Sequence, residues 1–113
     1  MIKISQSGET LEGLHGGRGS VDINRKLTKE DCVEGLDMFA EVTLPVGGSI
    51  GYHLHETDAE AYYIIKGEGI FLDDGKEEKP VRSGDLCLIT QGQGHGLKNT
   101  GKIPLKIIAI VWS

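Results

Sequence analysis

The run Gly47-Gly48-Ser49-Ile50-Gly51-Tyr52-His53-Leu54-His55-Glu56-Thr57-Asp58-Ala59-Glu60-Ala61-Tyr62-Tyr63-Ile64-Ile65-Lys66-Gly67 decides how the rest of the chain is read. It divides into an apolar stretch ending at His55, a polar corner at Glu56-Thr57-Asp58, and a second stretch rich in aromatic and β-branched residues that stops at Gly67. Both stretches predict strands. His53 and His55 are two apart, so on a strand both imidazoles face the same way and Leu54 faces the other. Glu60 opens the second stretch, where an adjacent antiparallel strand brings its carboxylate beside the imidazoles. Tyr62, two further on, shares the face of Glu60. It is a candidate pocket-lining phenol or proton donor, weighed against a core aromatic with a satisfied hydroxyl. Tyr63 is expected to point outward and Tyr52 away from the histidines.

A third histidine, His95, stands far along the chain after the Gly-rich bend Gln91-Gly92-Gln93-Gly94. Three imidazoles and a carboxylate form a mixed nitrogen and oxygen donor set suited to Mn, Fe, Ni, Cu, Co or Zn. A histidine on a strand is more often a surface or hydrogen-bonded residue than a ligand, and the His-x-His pair alone does not decide between the two.

Outside this centre the pattern remains strand, turn, strand. Val21 to Lys26 alternates apolar with polar residues; Met38 to Leu44, Ile70 to Leu72, Pro80 to Arg82, Leu86 to Thr90, His95 to Lys98 and Leu105 to Trp112 read as further short strands. Gly47-Gly48, Asp73-Asp74-Gly75, Ser83-Gly84-Asp85 and Asn99-Thr100-Gly101 supply the turns. Eight or nine closely spaced strands predict an all-β, closed antiparallel barrel or jelly roll. The exception is one helical turn capped by Thr28, with Asp31 at the capping-box position, running through Glu34 to a stop at Gly35. Residues 1–18 are read as a polar, Gly-interrupted N-terminal arm, and residues 1–113 as one domain.

Composition narrows the function classes. Hydrophobic residues make up 38% and charged residues 26%, too apolar for a disordered chain, and the 17 glycines show no Gly-X-Y period. Twelve Lys and Arg, scattered singly against 17 Asp and Glu, give a net charge of −5, which disfavours nucleic acid and anionic membranes. The longest apolar run, Ile107 to Trp112, is too short to span a bilayer. Met1 to Gln6 has no signal-like pattern, and Cys32 and Cys87 form no CxxC, so a reduced, cytoplasmic location is expected.

The spacing of the chemical residues carries a more specific signal. Gly47-x5-His53-x-His55-x4-Glu60-x6-Gly67 and Gly84-x5-Thr90-x-Gly92-x2-His95-x3-Asn99 match the two motifs of the cupin superfamily, with Thr90 where proline is usual. The motifs span 47–67 and 84–99, with 16 residues between them, and the chain resembles a small single-domain monocupin. The resemblance implies a cupin-type conical β-barrel, a double-stranded β-helix of two antiparallel sheets. It also implies one divalent metal ion (Mn, Fe, Ni or Zn) held by His53, His55, Glu60 and His95. The expected function is metal-dependent work on a small polar molecule, an organic acid or a sugar-like compound, by a decarboxylase, dioxygenase or isomerase. The alternative is a non-catalytic binding or sensing cupin. The apolar last strand and the polar arm suggest a homodimer.

Other residues carry weaker readings. Arg18 and Arg25 are solvent-exposed charges unless their strand borders the barrel mouth, where they would meet an anionic ligand. Cys87 is read as a buried structural thiol, His15 as a surface residue, and Phe39, Ile64, Phe71, Leu97 and Ile107 as packing. Gly94 and Gly96 are expected to leave room beside the metal.

Overall fold

A computed structural model describes residues 1–4 and 8–113, so residues 5–7 of the arm lie outside the described residues. Ten strands are found among the described residues: β1 (Glu9–Glu12), β2 (Ser20–Thr28), β3 (Leu36–Leu44), β4 (Ser49–His55), β5 (Ala59–Lys66), β6 (Glu68–Asp73), β7 (Glu77–Arg82), β8 (Leu86–Ile89), β9 (Gln93–Lys98) and β10 (Leu105–Trp112). They form a six-stranded sheet, ordered β1-β2-β3-β10-β5-β8, and a four-stranded sheet, ordered β4-β9-β6-β7. Every pairing is antiparallel. The all-β jelly-roll barrel of two antiparallel sheets is the architecture found.

Alternation along the strands places the core between the sheets. In β10, Leu105, Ile107, Ala109 and Val111 are buried while Lys106, Ile108 and Ile110 are half-buried on the other face. β10 pairs with both β3 and β5, so its apolar face becomes the centre of the larger sheet. Ile64, Phe71, Leu97 and Ile107 join the core as expected. Phe39 does not: it alternates with buried Ala40 and is itself only half-buried.

Three local expectations change. The arm is not without structure, because Glu9–Glu12 adds an edge strand to β2. It is fixed by polar contacts, Thr10 to Asp22 at 2.7 Å and Ser20 to Glu12, and by half-buried Leu11 packing against the core. The helical turn after Thr28 has its capping box, but it is a 3-10 turn over Lys29–Asp31 that ends at Cys32 in the left-handed region (φ 57°), before Gly35 is reached. Gly94 and Gly96 do not clear the histidine side of β9. A Cβ on Gly94 would stand 2.4 Å from the Tyr52 hydroxyl and one on Gly96 2.9 Å from the Ile50 carbonyl, so these glycines make room for the opposite face of β4. Tyr52 does face away from the histidines, its hydroxyl accepting from Gly75 N at 3.0 Å.

Candidate metal centre

Two sheets contribute to one cluster. His53 and His55 lie on β4, and His95 sits opposite His53 on the paired strand β9. Glu60 comes from β5 in the other sheet, just past the polar corner. One potential ligand atom from each of His53, His55, Glu60 and His95 lies within 4.8 Å of the other three. The Nε2 atoms of His55 and His95 are 3.0 and 2.9 Å from Glu60 Oε1 and 3.1 Å from each other. Donors bound about 2.1 Å from one ion and at right angles to each other stand about 3 Å apart, so this spacing fits a single divalent cation. Imidazole and carboxylate donors without thiolate suit the divalent first-row metals rather than a structural zinc cage.

The outer nitrogens fix which ring atoms are free. His53 Nδ1 donates to the Gly51 carbonyl at 2.8 Å, because a carbonyl can only accept, which leaves Nε2 to face the cluster. His55 Nδ1 meets Asp58 Oδ1 at 2.6 Å. A carboxylate behind a ligating imidazole orients the ring and raises its basicity. Asp58 belongs to the corner Glu56-Thr57-Asp58, whose polar character was legible although its partnership with His55 was not.

The electrostatics follow from burial and charge. Burial holds the His53 imidazole down at about 4, so it is neutral at physiological pH. The hydrogen bond to Glu60 raises His55 above the ordinary histidine value against the effect of burial, with Asp58 adding to it. Burial alone would raise Glu60, yet the hydrogen bonds from His55 and His95 outweigh it and bring the carboxyl to about 2.

Tyr62 shares the face of Glu60 and is 3% exposed. Its hydroxyl is 3.4 Å from His95 Nε2, and its ring stacks on that imidazole at 4.6 Å between centroids. Burial pushes the phenol well above its usual value, so it stays protonated.

His53, His55 and Glu60 of the cluster form one wall of a cavity of about 410 Å³, also lined by Arg25, Met38, Val42 and Tyr62. Arg25 reaches this cavity because β2 borders it. Its guanidinium is paired with Glu9 of β1. Arg18 is exposed and belongs to the turn before β2, where its backbone N–H bonds Ser49 Oγ at 2.8 Å. Cys87 is buried, as expected, and burial raises its thiol to about 11. His15 departs from its reading as a plain surface residue. Although exposed, it stacks on His53 with centroids 3.6 Å apart and lines the cavity. Its neighbours in sequence gave no sign of this.

Known proteins share this fold. The cupin domain family matches residues 40–111, which include all four clustered residues. An oxalate-binding protein of Thermotoga maritima is 39% identical over 103 residues, covering 91% of this chain and 84% of its own. An uncharacterised protein of Methanocaldococcus jannaschii is 38% identical over 88 residues, covering 76% of this chain and 69% of its own. A crystal structure from Thermotoga maritima, described as a predicted oxalate decarboxylase, superposes with a TM-score of 0.91 at 34% identity, covering 97% of this chain and 98% of that one. With both the two-sheet barrel and the paired motifs accounted for, the chain belongs to the cupin family.

Proposed function

We propose that His53, His55, Glu60 and His95 bind one divalent metal ion, and that the site uses it to act on a small organic acid, with oxalate as the first candidate. The observation that carries this reading is the convergence of the four donors within 4.8 Å, three of them (His53, His55 and Glu60) on the wall of a cavity that Arg25 also lines. A divalent ion with one coordinating carboxylate keeps a net positive charge, and the Arg25 guanidinium, although paired with Glu9, lines the same cavity. That combination favours an anion small enough for about 410 Å³. The name of the Thermotoga maritima relative supports oxalate in particular.

The metal, when bound, supplies Lewis-acid polarisation of a ligand oxygen and, if redox-active, electron transfer. The chain's own groups set the surroundings. His53 is already neutral and needs no deprotonation to coordinate. Tyr62, protonated and buried beside His95, is the hydrogen-bond donor to a ligand oxygen in this proposal. Loss of CO2 from a carboxylate leaves a carbon that must take up one proton, and the walls of Met38, Val42 and Tyr62 limit which water can reach it.

A binding protein without turnover is the second reading, favoured by the relative's name as an oxalate-binding protein. Under both readings the chain acts as a homodimer in the cytoplasm. Exposed Tyr63, Leu86 and Leu88 support a subunit contact, since Tyr63 pairs with Leu86 across β5 and β8 and extends one apolar outer face. The two free thiols suit a reducing compartment.

The test is metal content and oxalate handling of the purified protein. The reading expects about one divalent ion per chain, its loss in a His53→Ala/His95→Ala variant, and either CO2 release or saturable oxalate binding that requires the metal. Unchanged metal content in the double variant would overturn the site. Product formation separates the enzyme from the binding protein.

A further inference from the structure

His15 sits in a backbone conformation that L-residues seldom adopt, with φ 52° and ψ 33°. Such strain in a non-glycine residue persists only where surrounding contacts hold it. The 3-10 turn Leu14–Gly16 that carries it is pressed directly onto β4. A Cβ on Gly51 would lie 1.9 Å from the His15 carbonyl oxygen, and one on Gly17 would lie 2.1 Å from the Ser49 carbonyl oxygen. Only glycine on both sides allows the two backbones to meet this closely. Hydrogen bonds pin the turn further: Gly17 N donates to Leu14 O at 2.9 Å, Ser49 N to Arg18 O at 2.8 Å, and Arg18 N to Ser49 Oγ at 2.8 Å.

This docking delivers the His15 ring face to face with His53, 3.6 Å between centroids and 13° from parallel. Gly51 therefore serves His53 twice. Its carbonyl accepts from His53 Nδ1, and its missing side chain admits the turn that covers the ring face. The other two clustered imidazoles have their own supports, His55 from Asp58 and His95 from the stacked ring of Tyr62. His15 is not one of the convergent donors: the group within ligand reach is His53, His55, Glu60 and His95.

We infer that His15 is a positioning residue of the metal centre, fixing the His53 ring by stacking so that Nε2 stays aimed at the other donors. The inference rests on the proposed metal site. It assigns a role to the ring's flat face, not to its nitrogens.

The test is a Co2+ titration of the full chain, followed by the visible absorption of the bound ion, for the parent, His15→Ala and His15→Phe. Groups that orient a ligating histidine typically change metal affinity at least tenfold, so His15→Ala is expected to weaken Co2+ about tenfold and to alter the absorption envelope. His15→Phe, which restores a flat ring without nitrogen, is expected to recover both. A His15→Ala variant that matches the parent in affinity and spectrum would overturn the inference while leaving the metal site standing. So would a His15→Phe variant as impaired as His15→Ala, because the ring nitrogens would then carry the effect. A parent chain that takes up no Co2+ would overturn the metal site and this inference together.

Discussion

Asn99, the last residue of the second motif, offers the sharpest test of how the barrel is closed near the site. It is 4% exposed, and its side chain ties the end of β3 to the turn that follows Asn99 itself. Nδ2 donates to the carbonyls of Leu44 and Pro45, each at 3.1 Å, and of Ile103 at 3.0 Å. Oδ1 accepts from Gly101 N at 3.0 Å. Two N–H groups serve three carbonyls, so one is shared. Replacing Asn99 by Ala removes about three net hydrogen bonds and leaves buried backbone groups without partners. At about 1 kcal/mol each, the expected loss is about 3–4 kcal/mol. For a domain of this size that is a fall in Tm of roughly 12–25 °C. Asn99→Asp separates the donor from the acceptor. It keeps the oxygen that Gly101 N needs but places a carboxylate against three carbonyls. It should therefore be at least as destabilised near pH 7 and recover on acidification, as protonation restores a donor. Differential scanning calorimetry at two pH values measures both variants. An Asn99→Ala Tm within about 3 °C of the parent would refute the reasoning, because the four hydrogen bonds could then carry little of the barrel's stability.

Two further predictions concern titration and thiols. The hydrogen bond to Glu60 raises the His55 value, so the metal-free chain holds a proton there over a wider pH range than a free histidine. Coordination must expel that proton; Mn2+ or Co2+ affinity should therefore weaken as pH falls through the raised value, and Asp58→Asn should shift that weakening to lower pH. Calorimetric titrations between about pH 5.5 and 8 read this, and a flat affinity would refute it. Cys32 is exposed whereas Cys87 is buried with its thiol raised to about 11. One thiol per native chain should react promptly with a disulfide reagent and the second only after denaturation; two prompt thiols would contradict the packing of β8.

How much was legible depended on whether a feature was local or required two distant backbones. The His53–His55 face follows from strand periodicity, and the placement of Glu60 from the corner at Glu56-Thr57-Asp58. His95 is remote in sequence, and only the second motif tied it to the others before β9 was seen beside β4. β1 escaped notice because Glu9–Glu12 is four residues long and mostly exposed, with Leu11 its one apolar residue, too little to show alternation. The 3-10 turn ends early because Cys32 adopts a conformation that the sequence reserved for Gly35. The roles of Gly94 and Gly96 were misplaced, although period-two alternation with His95 puts both on the opposite face of β9. His15 was beyond local reading altogether. Its place depends on the absence of a Cβ at Gly51, a residue that precedes His53 by only two positions but lies far from His15 along the chain.

The cluster also explains how a buried carboxylate is tolerated between two sheets. Glu60 is 6% exposed, and an isolated charge there would be neutralised by protonation. Instead its carboxyl lies at about 2, because His55 and His95 direct hydrogen bonds to one oxygen. The hydrogen bond to Glu60 in turn raises His55, which favours a proton where the metal reading puts a cation. The imidazoles of the four-stranded sheet and the carboxylate of the six-stranded sheet thus attract each other across the barrel. Exchange of that proton for a divalent ion would substitute one positive charge for a larger one. This is the physical sense in which His53, supported by Gly51 and His15, and His95, supported by Tyr62, are preorganised.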